Sequence, residues 1–214
     1  MKTLLVVNSS GRVTRSITRH LTARFAARWR ALHPHGAVLE RETGTVAPPT
    51  VNEAWIAAAF APASENVSPV LEFSERCIAE LAAADVVAIG APMYNFGLPA
   101  QLKAYFDQVV RVGRTFAFDP AAADPYRPML VDRPVVVITS AGDGAVHPGG
   151  PLAHMNHLEP HLRTLLGFIG LTDVRFVRAG FDEYQDERAR RSLSRAEAEI
   201  DRVVEELAAV RLSV

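Results

Sequence analysis

The sequence predicts an α/β fold in which a parallel sheet of five strands carries helices on both faces. Short runs rich in Val and Ile alternate along the chain with longer stretches whose apolar residues recur every three or four positions. The short runs are typical of buried parallel strands, and the longer stretches are typical of amphipathic helices. Strands that alternate with helices pair in parallel through right-handed crossovers, so we expect a doubly wound sheet. Five strands favour the order 2-1-3-4-5.

Four apolar runs and one weaker pattern predict the strands. The runs are Leu4–Val7, Val86–Ile89, Val135–Thr139 and Val174–Val177, and the weaker strand is Ala37–Arg41. Each of the four runs is followed by polar or glycine-containing residues, which is how a buried strand ends at a surface loop. The weaker pattern lies after the first predicted helix and therefore supplies the second strand in chain order.

Five helices are predicted between and after these strands. The first has an apolar stripe formed by Ile17, Leu21, Phe25, Trp29 and Leu32. The others begin at Ser68-Pro69, at Pro99, at Leu158 (ending near Phe168) and at about Asp186 (ending near Val210). Two long connections remain, Thr43–Asn66 and Gly113–Arg133, and we interpret them as insertions around one site. The whole chain, residues 1–214, is expected to form a single domain.

Composition narrows the function classes. A formal net charge of -1 and a pI near 6.7 give no electrostatic reason to expect a nucleic acid or an anionic membrane as partner. The only cysteine, Cys77, lies in the second predicted helix and is expected in the core; one cysteine excludes an intrachain disulfide and suits a reducing cytoplasm. The apolar start of the chain is too short for a signal peptide or a membrane span. The seven histidines lack ligand spacing, so no metal site is expected.

A hydroxyl-rich loop follows the first strand, at the point where an open α/β sheet binds its ligand. It contains Ser9, Ser10, Ser16 and Thr18 and leads directly into a helix. A helix N-terminus and nearby hydroxyls attract a phosphate, although helix capping alone is the simpler alternative. The glycine patterns of dinucleotide and nucleoside triphosphate sites are absent. A ligand with a single phosphate, such as FMN, is therefore the simpler inference.

Two further loops are predicted at the same edge of the sheet. The loop after the third strand contains Met93, Tyr94, Asn95 and Phe96 and offers a flat apolar bed for a flavin ring; an ordinary core-facing loop is the alternative. After the fourth strand comes Ser140–Gly144, whose glycines permit close backbone approach, as would a plain turn. We assign no catalytic role to Asp143. His147 is a candidate to steer or protonate an electron acceptor, unless it is merely exposed.

These residues resemble the FMN-dependent NADH-azoreductase family, also described as FMN-dependent NADH:quinone oxidoreductases, over essentially the whole chain. The resemblance is carried by Ala91-Pro92-Met93-Tyr94-Asn95-Phe96, Gln101-Leu102-Lys103, Tyr105-Phe106-Asp107, Ile138-Thr139-Ser140, Leu166-Gly167-Phe168-Ile169-Gly170 and Thr172-Asp173-Val174. It implies a flavodoxin-like fold and an active site completed across a homodimer. The FMN-binding residues that it implies are Ser10, Ser16, Ile17 and Thr18 for the phosphate and ribityl end, Met93, Tyr94, Asn95 and Phe96 for the ring, and Ser140, Ala141, Gly142 and Asp143 for the last loop.

The resemblance also implies a substrate side lined by Phe118 and Phe168. This chain departs from the family pattern where relatives usually have Ser-x-Ser and it has Ser16-Ile17-Thr18. It also departs where they have Ser-Arg-Gly-Gly and it has Ser140-Ala141-Gly142-Asp143, and at Phe118, which is often tyrosine. These changes are expected to affect nucleotide preference and acceptor range more than flavin binding.

The leading functional hypothesis is an FMN-dependent oxidoreductase that passes electrons from NADH, with NADPH as the alternative donor, to quinones or azo compounds by a ping-pong mechanism. The alternative is a flavodoxin-like FMN electron carrier that serves protein partners. A carrier is expected to have an acidic docking face, whereas near-neutral charge and the aromatic residues Phe116 and Phe118 favour a small-molecule pocket. A third alternative, an NAD-binding regulator, lacks the glycine motif.

Overall fold

Five parallel strands form one sheet in the computed structural model, which describes residues 2–61 and 68–209. In chain order the strands are β1 (Thr3–Asn8), β2 (Ala37–Glu42), β3 (Val86–Pro92), β4 (Phe116–Phe118), β5 (Tyr126–Pro128), β6 (Val135–Ser140) and β7 (Val174–Ala179). The main sheet has the order β2-β1-β3-β6-β7, and all its pairs are parallel. The predicted 2-1-3-4-5 order is therefore confirmed.

Helices cover both faces of this sheet, as predicted. They are α1 (Ile17–Leu32), α2 (Glu53–Phe60), α3 (Glu72–Ala83), α4 (Ala100–Val109), α5 (Leu158–Ile169) and α6 (Glu187–Ala209). Because side chains alternate along a strand, Leu5 and Val7 of β1 pack with α3, α4 and α5, whereas Leu4 and Val6 pack with α1 and α6. None of the helices described is both long enough and apolar enough to cross a membrane.

The two long connections contain regular structure that the sequence analysis missed. Helix α2 lies in the first, capped by Asn52, whose side chain accepts a hydrogen bond from the backbone N–H of Trp55 at 2.9 Å. The second connection contains the antiparallel hairpin β4–β5, with Phe118 opposite Tyr126. An Ala-rich helix of eight residues shows no clear apolar stripe, and strands of three residues are too short for alternation to be recognised. Positions 62–66, and Val210 at the predicted end of the last helix, lie outside the described residues.

Candidate functional site

A partly open cavity of about 220 Å³ lies beyond the carboxyl ends of β1, β3 and β6. Its position is the switch point of the sheet, where strand order reverses between β1 and β3. The cavity is lined by Ser10, Arg12, Arg15, Ser16, Ile17, Pro92, Met93, Tyr94, Ser140, Ala141, Gly142, Asp182 and Glu183. The three loops singled out in the sequence therefore meet at one place. A fourth loop, between β7 and α6, also contributes.

The loop after β1 forms one end of the cavity. Ser16 is the N-cap of α1, since its hydroxyl accepts a hydrogen bond from the backbone N–H of Arg19 at 3.3 Å. The Ser10 hydroxyl lies 3.2 Å from both the backbone nitrogen and the carbonyl oxygen of Arg12, which closes a tight local turn. Thr18 is buried, with its hydroxyl 3.4 Å from that of Ser16. Capping is thus real at Ser16, and Ile17, the first residue of α1, also lines the cavity.

Two arginines belong to the same end and were not predicted. Arg12 and Arg15 both line the cavity, and Arg12 is 3.5 Å from the carboxylate of Asp182. Arg15 has a left-handed backbone with φ of 59°. Arginine donors next to a helix N-terminus favour an anion. The sequence could have indicated both arginines, because they lie within the hydroxyl-rich loop. Ser9 serves the fold instead, since its buried hydroxyl donates to the carbonyl oxygen of Gly90 at 2.7 Å.

The loop after β3 makes a tight turn at the rim of the cavity. Backbone hydrogen bonds of 3.1 and 3.0 Å join Tyr94 and Gly97, and the two residues between them, Asn95 and Phe96, have φ of 46° and 69°. Left-handed backbone is unfavourable for a residue such as Phe, so surrounding contacts must hold the turn in place. Met93 and Tyr94 line the cavity, whereas Asn95 and Phe96 form the tip of the turn beside it. Tyr94 and Phe96 keep 40% and 45% of their surface exposed.

The loop after β6 faces that turn. The backbone N–H of Met93 donates to the carbonyl oxygen of Ser140 at 2.8 Å, which ties the two loops together. Ser140, Ala141 and Gly142 line the cavity. Asp143 lies outside it and caps a short 3-10 turn, accepting from the backbone N–H of Ala145 at 2.9 Å and from the Tyr184 hydroxyl at 3.1 Å. Asp143 therefore shapes the loop.

The loop between β7 and α6 packs directly against the loop after β6. The backbone N–H of Glu183 donates to the carbonyl oxygen of Gly142 at 3.3 Å. A Cβ atom at Gly142 would overlap the Glu183 carboxylate, and one at Gly144 would lie 2.5 Å from the ring of Phe181. The exposed Glu183 side chain can move away from Gly142, so the close approach depends more on Gly144, which lies against the Phe181 ring. Ligands of open α/β sheets bind beyond the carboxyl ends of the strands, and the loop after β7 lies at that edge. Asp182 and Glu183 could therefore have been predicted as site residues.

The three residues expected on the substrate side do not line the cavity of their own chain. Phe118 and Phe168 belong to an aromatic cluster in which Tyr126 lies between them, with ring centroids at 5.3 and 5.5 Å. His147 is half-buried near Gly180, and burial lowers its pKa below the ordinary value. Within residues 2–61 and 68–209 its Nε2 has no hydrogen-bond partner.

Comparisons with known proteins agree with this fold. A family model described as a flavodoxin-like fold matches residues 1–204. The chain is 58% identical to the FMN-dependent NADH:quinone oxidoreductase of Opitutus terrae, over 98% of this chain and 100% of that protein. It is 42% identical to FMN-dependent NAD(P)H:quinone oxidoreductase 1 of Pseudomonas aeruginosa, over 86% and 89% of the two chains.

Solved structures show the same fold. An azoreductase from Bacillus anthracis superposes with a TM-score of 0.83 at 22% identity, over 96% of this chain and 100% of that one. An FMN-dependent NADH-azoreductase from the same species, in complex with FMN, also has a TM-score of 0.83, at 20% identity over 97% and 100% of the chains.

Proposed function

The chain belongs to the family of FMN-dependent NADH:quinone oxidoreductases with the flavodoxin-like fold, and from that membership we propose that it transfers electrons from NADH through FMN to quinones and azo compounds. It is an oxidoreductase, and its cofactor is FMN. We also propose that the reaction follows a ping-pong order with quinones and azo compounds as acceptors, that the loops lining the cavity hold the flavin, and that the active site is homodimeric. The chain is further proposed to form a single domain and to be located in the cytoplasm.

The observation that carries the proposal is the meeting of a loop rich in anion donors and a loop with apolar side chains in one cavity. At the loop after β1, Arg12, Arg15 and the first turn of α1 supply the donors that a phosphate dianion requires, together with the hydroxyls of Ser10 and Ser16. On the loop after β3, Met93 and Tyr94 offer apolar faces. The small residues Ala141 and Gly142 leave room for a flat ring. The side chains present therefore fit FMN.

When bound, FMN supplies two-electron chemistry, taking a hydride from NADH and reducing a quinone to a hydroquinone in one cycle or an azo bond to two amines in two cycles. The residues of this chain bind and orient the reactants. The turn at Asn95 and Phe96 would shield one face of the ring, and the backbone of Ser140–Asp143 would contact its polar edge. No side-chain nucleophile is required.

The homodimer is proposed because the substrate-side residues lie away from their own chain's cavity. Phe118 is half-exposed, and Phe168 contacts Tyr126 in the same aromatic cluster. A second copy could present Phe118 and Phe168 to the ring, with His147 of either chain near the acceptor. Sedimentation equilibrium tests this arrangement; a monomer that retains full activity would contradict it.

The direct test is to purify the protein, add FMN and follow both flavin absorption and NADH oxidation. Menadione and methyl red serve as acceptors, with NADPH compared in parallel. We expect flavin bound in stoichiometric amount and parallel lines in double-reciprocal plots, the signature of ping-pong kinetics. Rapid anaerobic bleaching of the bound flavin by NADH alone distinguishes the enzyme from an electron carrier. Absence of both flavin absorption and NADH oxidation would contradict the proposal.

A further inference from the structure

Arg19 binds the loop after β1 but does not itself line the cavity. It lies on α1, and its side chain reaches back across the loop to two backbone carbonyl groups. The Arg19 Nη2 group donates to the carbonyl oxygen of Ser10 at 2.7 Å, and Nε donates to that of Arg12 at 3.0 Å. One guanidinium therefore binds the carbonyl groups of both residues that flank Gly11.

Glu42, at the end of β2, fixes this guanidinium. Its two carboxylate oxygens accept from Nη1 and Nη2 of Arg19 at 2.6 and 2.8 Å, and Oε1 also accepts from the backbone N–H of Thr45 at 2.9 Å. The hydrogen bond to Glu42 raises the pKa of Arg19. Burial alone would raise the pKa of Glu42, but the hydrogen bonds from Arg19 and the backbone outweigh it and lower that pKa. Both groups are thus charged at neutral pH, and their charges cancel.

The direction of the Ser10 carbonyl group indicates what this arrangement does. A Cβ atom at Gly44 would overlap the carbonyl oxygen of Ser10 and lie 2.5 Å from its carbonyl carbon, so this carbonyl group faces Gly44, in the loop after β2, which does not line the cavity. Carbonyl oxygens repel a phosphate, whereas N–H and hydroxyl groups attract it. With the oxygens of Ser10 and Arg12 held by Arg19, the loop presents its donors to the cavity.

We propose that Arg19, held by Glu42, is a positioning residue that gives the loop after β1 its affinity for the phosphate of FMN without touching the phosphate itself. This inference rests on the proposed function. It assigns a role to a residue that does not line the cavity. It also predicts that the effect is specific for the phosphate, because the carbonyl groups that Arg19 binds belong to the loop that carries the phosphate donors.

The test compares dissociation constants for FMN and for riboflavin, which lacks the phosphate, by quenching of flavin fluorescence. Arg19→Lys keeps the charge but cannot bridge two carbonyl groups and a carboxylate. We expect Arg19→Lys and Arg19→Ala to weaken FMN binding about tenfold or more, the scale of losing hydrogen bonds to a charged group, and to change riboflavin binding little. Arg24→Ala, on the same helix and paired with Asp201, is the matched control and should change neither constant.

The variant Glu42→Gln distinguishes a positioning role of Arg19 from a role that depends only on its charge. If Arg19 acted only through its charge, removing the neighbouring negative charge would tighten FMN binding, whereas loss of positioning weakens it. Circular dichroism of each variant checks that the fold is retained. FMN binding unchanged in Arg19→Lys, equal weakening for riboflavin, or tighter binding in Glu42→Gln would each overturn the inference while leaving the proposed function intact. A wild-type chain that does not bind FMN would contradict the proposed function, and the inference with it.

Discussion

Cys77 shows how burial decides the chemistry of a single residue. Its side chain has no exposed surface, and burial raises the pKa of the thiol to about 12. Because the thiolate is the reactive form, the native protein should resist iodoacetamide at about pH 8 and react fully once unfolded in guanidinium chloride. Mass spectrometry of the native and unfolded protein measures the difference, with Cys77→Ser as the blank. Equal labelling in both states would show that the thiol is accessible.

The sequence identified Cys77 as a core residue, but other single-residue roles depended on long-range contacts. Ser9, Ser10 and Ser16 look alike in the sequence, yet one anchors the fold at Gly90, one closes a turn and one caps α1. The pairing of Arg19 with Glu42 spans 23 positions, and no local pattern contains both partners. Roles of this kind depend on individual side-chain contacts between the loop and the neighbouring strand, which the strand order alone does not specify.

The sheet was predictable at the scale of elements because its strands are continuous apolar runs and its helices carry regular stripes. The four strong strands differ from the prediction by at most three residues at either end, the largest difference being the continuation of β3 from Ile89 to Pro92. Helix α2 and the hairpin β4–β5 were not predicted, because they depend on tertiary contacts. The Trp55 indole N–H donates to the buried side chain of Gln108 at 2.8 Å, and this bond attaches α2 to α4. The hairpin likewise depends on helix α5.

The hairpin β4–β5 should lose its order locally when its aromatic support is removed. The ring of Phe116 lies 4.8 Å from that of Phe168 on α5 and 6.3 Å from that of Tyr126. Aromatic contacts of this kind stabilise by about 0.5–1.5 kcal/mol beyond the area buried. We therefore expect Phe116→Ala to speed hydrogen exchange in peptides covering residues 113–133, and to leave β6 protected.

Phe118→Ala is the matched control for this exchange experiment. Phe118 lies on the same strand and is half-exposed, and among the aromatic rings of the described residues it contacts that of Tyr126 alone, at 5.3 Å. Its removal should change exchange in the hairpin much less than removal of Phe116. Equal exchange in the two variants, or faster exchange throughout the sheet after Phe116→Ala, would show that the hairpin is not held by α5 in this way.

At the scale of the whole molecule, the location of the candidate site was predictable and its full lining was not. The order of the strands places the ends of β1, β3 and β6 together, and the sequence identified the loops that follow them. The loop after β7 joins the site because Phe181–Tyr184 folds back over Gly142 and Gly144. That fold includes a left-handed Phe181, with φ of 69°, which no turn pattern in the sequence indicates.

The two faces of the sheet should unfold together, as expected for one domain. Strand β1 contributes Leu4 and Val6 to one apolar cluster and Leu5 and Val7 to the other, so neither cluster persists without the same strand. The two tryptophans report on opposite faces, since Trp29 packs beneath α6 and Trp55 contacts α4 through Gln108. Ile200→Ala, in the buried stripe of α6, should destabilise the protein by about 2–5 kcal/mol.

Urea unfolding of two single-tryptophan proteins, Trp29→Phe and Trp55→Phe, measures whether Ile200→Ala lowers the stability of both faces of the sheet equally. In each background the free-energy change caused by Ile200→Ala is obtained from tryptophan fluorescence, and we expect the two values to agree. Arg202→Ala, on the exposed side of the same helix, is the control and should cause little change by either reporter. If only the protein that retains Trp29 responded to Ile200→Ala, the two faces would be separate folding units, because the Trp55 side would then keep its structure without α6.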